Sequence, residues 1–283
     1  MKLPLQVNLK DKVAVVTGGG GVLCSEFAKA LAAAGCKVAV LDLSIDAANR
    51  VADAITADGN IAKGYSCNVL DKPSLEECHK KVLTDLGPCD ILLNGAGGNN
   101  AKANTDKEYY EPGDYLDEDT KSFFELDQNS VQFVFNLNFI GTLLTTQVFA
   151  KDMIDGRGGN ILNVSSMNAF TPLTKIPAYS AAKAGISNFT EWLAVHFSKV
   201  GIRVNAIAPG FFSAGQNKTL LWNPDGSPTE RTKKILASTP MGRMGTPDEL
   251  IGAVLFLVSD DAASFIDGVV LPIDGGFSAY AGV

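Results

Sequence analysis

Tyr179 and Lys183 stand four residues apart, and Ser166 lies thirteen residues before the tyrosine, in the stretch NILNVSSMNAFTPLTKIPAYSAAKAGISNFTEWLAVHFSKVG from Asn160 to Gly201. A free phenol loses its proton near pH 10 and is a poor acid–base group at neutral pH. An ammonium one helical turn away stabilises the phenolate and lowers that pKa toward the working range. Tyr179 is then able to give a proton to, or take one from, the oxygen of a carbonyl–alcohol pair. Ser166 would hydrogen-bond the same oxygen as charge develops on it. Tyr-x-x-x-Lys alone is common by chance and favours the simpler reading, the wet edge of an amphipathic helix. The serine upstream tips the balance toward catalysis, and a cofactor is needed to complete it.

The elements around these residues are those that could bring them together. Asn160–Ser165 is a short apolar run of the buried parallel-strand type, ending in two serines. Pro177 opens a long helix with Ile186, Phe189, Leu193 and Phe197 on one stripe, and Gly201 ends it. Residues four apart leave a helix on the same face. Strand and helix alternate elsewhere too: strands at Val13–Thr17, Lys37–Asp42, Asp90–Asn94, Ile202–Ala208 and Val269–Ile273, a third strand ending at Cys67–Asn68, and helices at Ala47–Ala57 and Ser74–Leu86. This alternation predicts an α/β fold in which residues 1–283 form a single doubly wound Rossmann-type domain on a parallel sheet. Two segments interrupt it. Asp106–Asp127 holds nine acids against Lys107 and Lys121, which reads as a solvated acidic excursion or, second, a lid. The segment 211–241 is polar, carries turn signals and reads as a substrate loop.

At the other end of the chain, a strand, the glycines Gly18 to Gly21 and a helix form an arrangement that presents helix amides to a pyrophosphate. Asp42 ends the second strand, where a carboxylate accepts from the adenosine ribose hydroxyls and repels a 2′-phosphate. Leu43 and Ser44 follow it, with no Arg or Lys, so NAD(H) is expected over NADP(H). Asn68 is either an acceptor for the adenine amino group or a turn-forming Asn.

Tyr179-x-x-x-Lys183, Ser166, Thr17-Gly18, Asn94-Gly95-Ala96-Gly97, Pro209-Gly210 and Asp274-Gly275-Gly276 together resemble the short-chain dehydrogenase/reductase family over nearly the whole chain. The resemblance implies a seven-stranded parallel sheet, hydride transfer between nicotinamide C4 and a carbonyl carbon, and homodimers or homotetramers paired through long helices. It makes Asn138 the fourth catalytic residue beside Ser166, Tyr179 and Lys183, holding a water that links Lys183 to solvent, with Asn136 as the fallback. It assigns cofactor contacts to Gly18, Gly20, Gly21, Val22, Asp42, Asn68, Val69, Asn94, Gly95, Ala96, Tyr179, Lys183, Pro209, Gly210 and Phe212. The chain departs from the family's TGxxxGxG turn, placing Val22 and Cys24 at the later two glycine positions, and has Ala214, beside Ser213, where a Thr is usual. Thr17–Cys24, Ser165–Ser180 and Ala208–Phe212 resemble most the subgroup of D-mannonate oxidoreductases, or fructuronate reductases, which implies interconversion of D-fructuronate and D-mannonate.

A sugar acid needs neutral hydrogen-bond partners and a cation. The expected substrate residues are Asn99, Asn100, Asn168, Lys175, Gln216, Asn217 and Lys218, with Arg243 a further cation; for any one of them an ordinary loop role is the simpler reading. Another polyol or aldonate, a 3-oxoacyl thioester, or a nucleotide-sensing scaffold without catalysis are the rival functions. A net charge of −7 argues against nucleic acid and anionic membrane surfaces as partners. No apolar run reads as membrane-spanning, and the N-terminal MKLPLQVNLK lacks a signal-peptide core. Five cysteines without a Cys-x-x-Cys pair fit reduced thiols in the cytoplasm. With only His79 and His196 present no metal site is expected, and His79 reads as a solvated residue of a charged helix.

Overall fold

The computed structural model describes residues 7–154, 156–213 and 221–282. Its centre is a seven-stranded sheet in the order β3-β2-β1-β4-β5-β6-β7, with every pairing parallel. The strands are β1 Val13–Thr17, β2 Lys37–Asp42, β3 Ile61–Ser66, β4 Ile91–Asn94, β5 Gly159–Val164, β6 Ile202–Pro209 and β7 Val270–Ile273. Because alternate residues face opposite sides, Ala14 and Val16 of β1 join one core and Val13 and Val15 the other. The first core packs β1 and β2 against α1 (Val22–Ala33), α2 (Ile45–Ala57) and α8 (Ile251–Val258) through Phe27, Leu31, Ile55 and Leu257. The second packs the opposite face against α3 (Lys72–Asp85), α5 (Gly141–Phe149) and α6 (Pro177–Phe197) through Leu75, Phe149 and Leu193. This is a Rossmann-type fold. Strand order reverses between β1 and β4, and such a sheet binds its ligands at the carboxyl ends of the strands beside that point.

Helix α4 (Gln128–Phe135) runs into α5 through a wide π turn, Asn136–Ile140. With the short turn after α5 they make one helix, Gln128–Met153, long and apolar enough to cross a membrane, which corrects the reading that no such run exists. Half of its apolar window is buried. Val134 and Phe149 are fully covered, as in a helix that belongs to the interior of a fold.

Helix α6 opens at Pro177, and Gly201 accepts the left-handed backbone (φ 74°) that follows its last turn. Ile186 and Leu193 of the expected stripe are buried, while Phe189 and Phe197 are only partly so. On its outer face Trp192 and Val195 are exposed, with Trp192 stacked between Phe189 and His196. His79 is half-buried rather than solvated: its Nε2 meets both carboxylate oxygens of Asp152 at 2.9 Å, and its ring lies edge-on to Phe149. The five cysteines are free and buried.

The segment Asp106–Asp127 is a surface excursion with one short helical turn, Asp114–Leu116. Lys107 clasps it internally, its ammonium 2.7 Å from Glu111 and 2.8 Å from the buried Asp114 carboxylate. Glu108 reaches outward to Lys234 at 2.7 Å, tying the excursion to α7 (Glu230–Ala237).

Candidate active site

Ser166, Tyr179 and Lys183 converge because β5 ends where the first turns of α6 pass over it. The first serine of the pair does the joining: Ser165 Oγ donates to the Lys183 carbonyl at 3.1 Å and meets Ser187 Oγ at 2.8 Å. Ser166 is thereby turned to the other side, where its hydroxyl accepts from the Asn168 N–H at 3.2 Å and lies close enough to the Tyr179 phenol to act on its ionisation. Lys183 is 5% exposed; its ammonium donates to the Val164 carbonyl at 2.8 Å and stands 5.6 Å from the centre of the Tyr179 ring.

The electrostatics differ from the sequence expectation. Burial pushes the Tyr179 phenol above its ordinary value of 10, and the neighbouring Ser166 hydroxyl offsets only part of the rise. Burial also draws the Lys183 ammonium down to about 8. A lysine so placed has its conjugate base within reach near neutral pH, which suits a group that passes protons.

Asn138 sits in the π turn, which widens the helix by one residue and aims this side chain inward. Its amide pairs with the backbone of Gly98 in both directions: Nδ2 donates to the Gly98 carbonyl at 2.7 Å and Oδ1 accepts the Gly98 N–H at 3.3 Å. A Cβ at Gly97 would lie 2.6 Å from Asn138 Oδ1 and 3.2 Å from Lys183 Nζ, so Asn138 and Lys183 flank the same backbone. Asn136 is only partly buried and lies two positions before it.

The glycine turn is a close-fitting cradle. Gly18 has φ 63°, and a Cβ there would lie 2.9 Å from the Ala96 Cα. A Cβ on Gly20 would meet Ala47 at 2.6 Å and Asp42 Oδ2 at 2.9 Å. Gly21 starts α1 without a side-chain cap, and Val22 follows as its first residue. The Asp42 carboxylate stands at the rim, accepting from the Gly20 N–H at 3.1 Å and the Ser44 N–H at 3.0 Å. Cys24, at a family glycine position, is buried where a Cβ on Gly95 would run into its sulfur. The missing side chain has moved across the interface, from helix to strand end. Arg50 also reaches this turn, donating to the Gly20 carbonyl at 3.2 Å; it lies too far past Asp42 in sequence to have been noticed there.

Several expected contacts are placed differently. The side chain of Asn94 is inside the fold: Nδ2 donates to Thr146 at 3.1 Å and to Asn163 at 2.9 Å, and Asn163 continues to Thr190. It ties β4 to β5 and α5, and is not directed at a cofactor. Asn68 is exposed and its Oδ1 accepts from the Leu70 N–H at 3.0 Å, the turn-forming role. Val69 is buried against Gly141. Gly95 and Ala96 both donate their N–H groups to Thr17 Oγ1, at 3.1 and 3.2 Å. A Cβ on Gly210 would lie 2.6 Å from that of Asp274, and the ring of Phe212 fills the space where Gly245 has no side chain.

Beside Tyr179 opens a cavity of about 400 Å³ lined by Gly98, Asn99, Asn104, Ser166, Met167, Asn168, Leu173, Ile176, Gly210, Phe211, Phe212, Leu221 and Arg231. Asn99 and Asn168 are there as expected. Asn100 is not: its side chain caps the short turn Ala101–Ala103 through the Lys102 N–H at 2.9 Å. Lys175 lines an adjoining cavity of about 440 Å³ that shares Leu173, Phe211 and Arg231 with the first. Arg243 is held by both oxygens of Glu249 at 2.6 and 2.7 Å, which removes it as a substrate cation. Gln216, Asn217, Lys218 and Ala214 lie outside the described residues. Behind the cavity wall, Leu221, Ile235 and Met244 form a small cluster with Phe211, Trp222 and Leu236. Arg231 was missed, because nothing in the segment 211–241 marks which polar residue the fold returns to Tyr179.

A doubly wound sheet with a glycine cradle on one side of its switch point and a buried Ser–Tyr–Lys group on the other defines a nucleotide-dependent oxidoreductase. A profile of the short chain dehydrogenase family matches residues 12–223. An uncharacterised oxidoreductase of Haemophilus influenzae is 57% identical over 283 residues, covering 100% of this chain and 99% of that protein. UxuB, an uncharacterised oxidoreductase of Bacillus subtilis, is 48% identical over 281 residues, 99% of this chain and 100% of the relative. A crystal structure from Haemophilus influenzae with bound NAD, of a protein provisionally called a D-mannonate oxidoreductase, matches with a TM-score of 0.94, 56% identity and full coverage of both chains. The chain belongs to the short-chain dehydrogenase/reductase family, and is an oxidoreductase that works with a nicotinamide cofactor.

Proposed function

We propose that this protein is an NAD(H)-dependent enzyme that interconverts a keto sugar acid and its hydroxy acid, with D-fructuronate and D-mannonate as the pair. The observation that carries this reading is the cavity over Tyr179: its described lining offers Asn99, Asn104, Asn168 and Ser166, one cation and no carboxylate. An anionic, hydroxyl-rich compound is favoured there in a chain whose net charge is −7. The name given to the Haemophilus influenzae protein with bound NAD supports the same pair.

The residues divide the work as follows. Ser166 and the Tyr179 phenol hydrogen-bond the reacting oxygen, and Tyr179 transfers the proton. Lys183 stabilises the phenolate form and exchanges protons through the space beside Asn138 and Gly97. The cradle fits a dinucleotide: its glycines leave no room for side chains, α1 opens without a side-chain cap, and Asp42 stands at the rim. Gly18, Gly20, Gly21 and Val22 would hold the pyrophosphate and Asp42 the adenosine ribose. Asn68 and Val69 would flank the adenine; the backbone of Asn94, Gly95 and Ala96, with Lys183, would meet the ribose at the other end. Pro209, Gly210 and Phe212 would bound the nicotinamide, which supplies or accepts the hydride when bound. Asp42 favours NAD(H) by repelling a 2′-phosphate. The five buried free thiols fit a reducing cytoplasm, and the exposed Trp192 and Val195 of α6 fit pairing into homodimers or homotetramers.

NADH oxidation against a panel of hexuronates, aldonate-derived ketones, ketoses and 3-oxoacyl thioesters tests the reading. Turnover restricted to hexuronates is expected. The apolar wall formed by Met167, Leu173, Ile176, Phe211, Phe212 and Leu221 favours the thioester as the second reading, and preference for that substrate would replace the first.

A further inference from the structure

We infer that Arg231 is the residue that binds the substrate carboxylate, at the wall between the two cavities. The inference rests on the sugar-acid reading above and assigns within it a residue that neither sequence pattern nor family resemblance singled out. Three observations carry it. Among the described residues, Arg231 is the one charged residue lining the cavity over Tyr179. The other charged residues on α7 are already matched: Glu230 with Lys233 at 2.6 Å and Lys234 with Glu108 at 2.7 Å. Arg231 has no ion pair among the described residues, so its planar fork is free for a carboxylate, which it can hold by two parallel hydrogen bonds.

A fourth observation is independent of charge. Asn168 is 4% exposed and lines the same cavity, yet its Oδ1 has no hydrogen-bond partner among the described residues. A buried amide oxygen without a donor is costly unless a ligand supplies one. A hydroxyl beside the reacting carbon does so. One wall of the cavity therefore calls for a hydroxyl donor next to Ser166 and Tyr179, and another calls for an anion at Arg231. That pairing describes a hydroxylated keto acid whose carboxylate is held by Arg231.

The test is steady-state kinetics of the full-length enzyme with NADH on a matched pair, D-fructuronate and the uncharged D-fructose. Arg231 is exposed and follows the first residue of α7, so Arg231→Gln and Arg231→Lys leave the fold intact, which circular dichroism checks. Arg231→Gln should raise KM for the acid by roughly 10- to 100-fold, leave KM for the ketose unchanged and keep kcat within a few-fold. Arg231→Lys should recover part of the loss. If the wild type prefers the acid but Arg231→Gln changes both KM values alike, or neither, the role of Arg231 is refuted while the sugar-acid reading stands. If the wild type shows no preference for the acid, including no turnover of either compound, both are refuted together.

Discussion

Tyr179 and Lys183 work as a pair whose two pKa values are moved by burial in opposite directions, the phenol upward and the ammonium down to about 8. Tyr179→Phe keeps the ring and removes the proton, so turnover should fall by roughly 10²–10⁴-fold. NADH affinity measured by titration should barely change, and turnover like the wild type's would remove Tyr179 from the chemistry. The lysine makes a prediction about stability. Below pH 8 folded and unfolded chains both hold its proton, and the native state bears the full cost of a buried charge. Between pH 8 and the ordinary value of 10.5 the unfolded chain keeps that proton and the native chain releases it, so this contribution to stability rises with pH. Urea denaturation of the cofactor-free protein should therefore find the wild type gaining on Lys183→Met across that window, by on the order of 3 kcal/mol. A pH-independent difference would mean that the lysine titrates normally. These residues were legible in sequence because helical spacing alone sets Tyr179 and Lys183 on one face. Arg231 was not, because its place depends on how a long polar loop folds back. His79 misled for a similar reason: its neighbours in sequence are charged, while its partner Asp152 is distant in the chain.

Elements meet at this site through very small side chains, and the α1–β4 contact is the sharpest case. Cys24 takes the space a family glycine leaves open, and Gly95 gives way opposite it. Gly95→Ala should destabilise the protein by about 1–3 kcal/mol through overpacking. Adding Cys24→Ala should recover part of that loss, which denaturant melts of the four proteins in the double-mutant cycle will measure. Additive effects would mean that the two do not share the space. The departure at position 24 was visible in the sequence, but its compensation was not, since Gly95 looked like any glycine of the Asn-Gly-Ala-Gly loop. The same contact layer holds Asp42 at the rim of the turn. Asp42→Ala should narrow the preference for NADH over NADPH, read as the ratio of kcat/KM values, and a wild type that used both equally would undo the role given to the carboxylate. The order of strands and helices was legible almost throughout, because fully buried strands such as VAVVT and the glycine punctuation between them are local signals. The exception was Gln128–Met153, whose apolar length is disguised by polar residues at the π turn and becomes clear only when both halves are seen to pack as one helix.

At the scale of the whole molecule, the outer face of α6 presents Trp192 at 56% and Val195 at 78% exposure, more apolar surface than a monomer's long helix needs to show. If this face joins copies of the chain, Val195→Asp should lower the mass seen by sedimentation without changing the circular dichroism spectrum; an unchanged mass would place any interface elsewhere. The acidic excursion was legible from its composition. Its connection to α7 was not, because the Glu108–Lys234 pair joins two segments that carry no common pattern. The sequence has 2 tryptophans, and their positions give the protein two optical reporters. Trp192 lies on the exposed face of α6, and Trp222 lies in the cluster behind the cavity over Tyr179. Reduced nicotinamide absorbs where indole emits, so Trp222 fluorescence should be quenched by energy transfer when NADH binds and altered again when the cavity fills. Trp192 emission should respond instead to dilution. Trp192→Phe and Trp222→Phe would thus separate ligand binding from assembly in a single cuvette, with no attached dye.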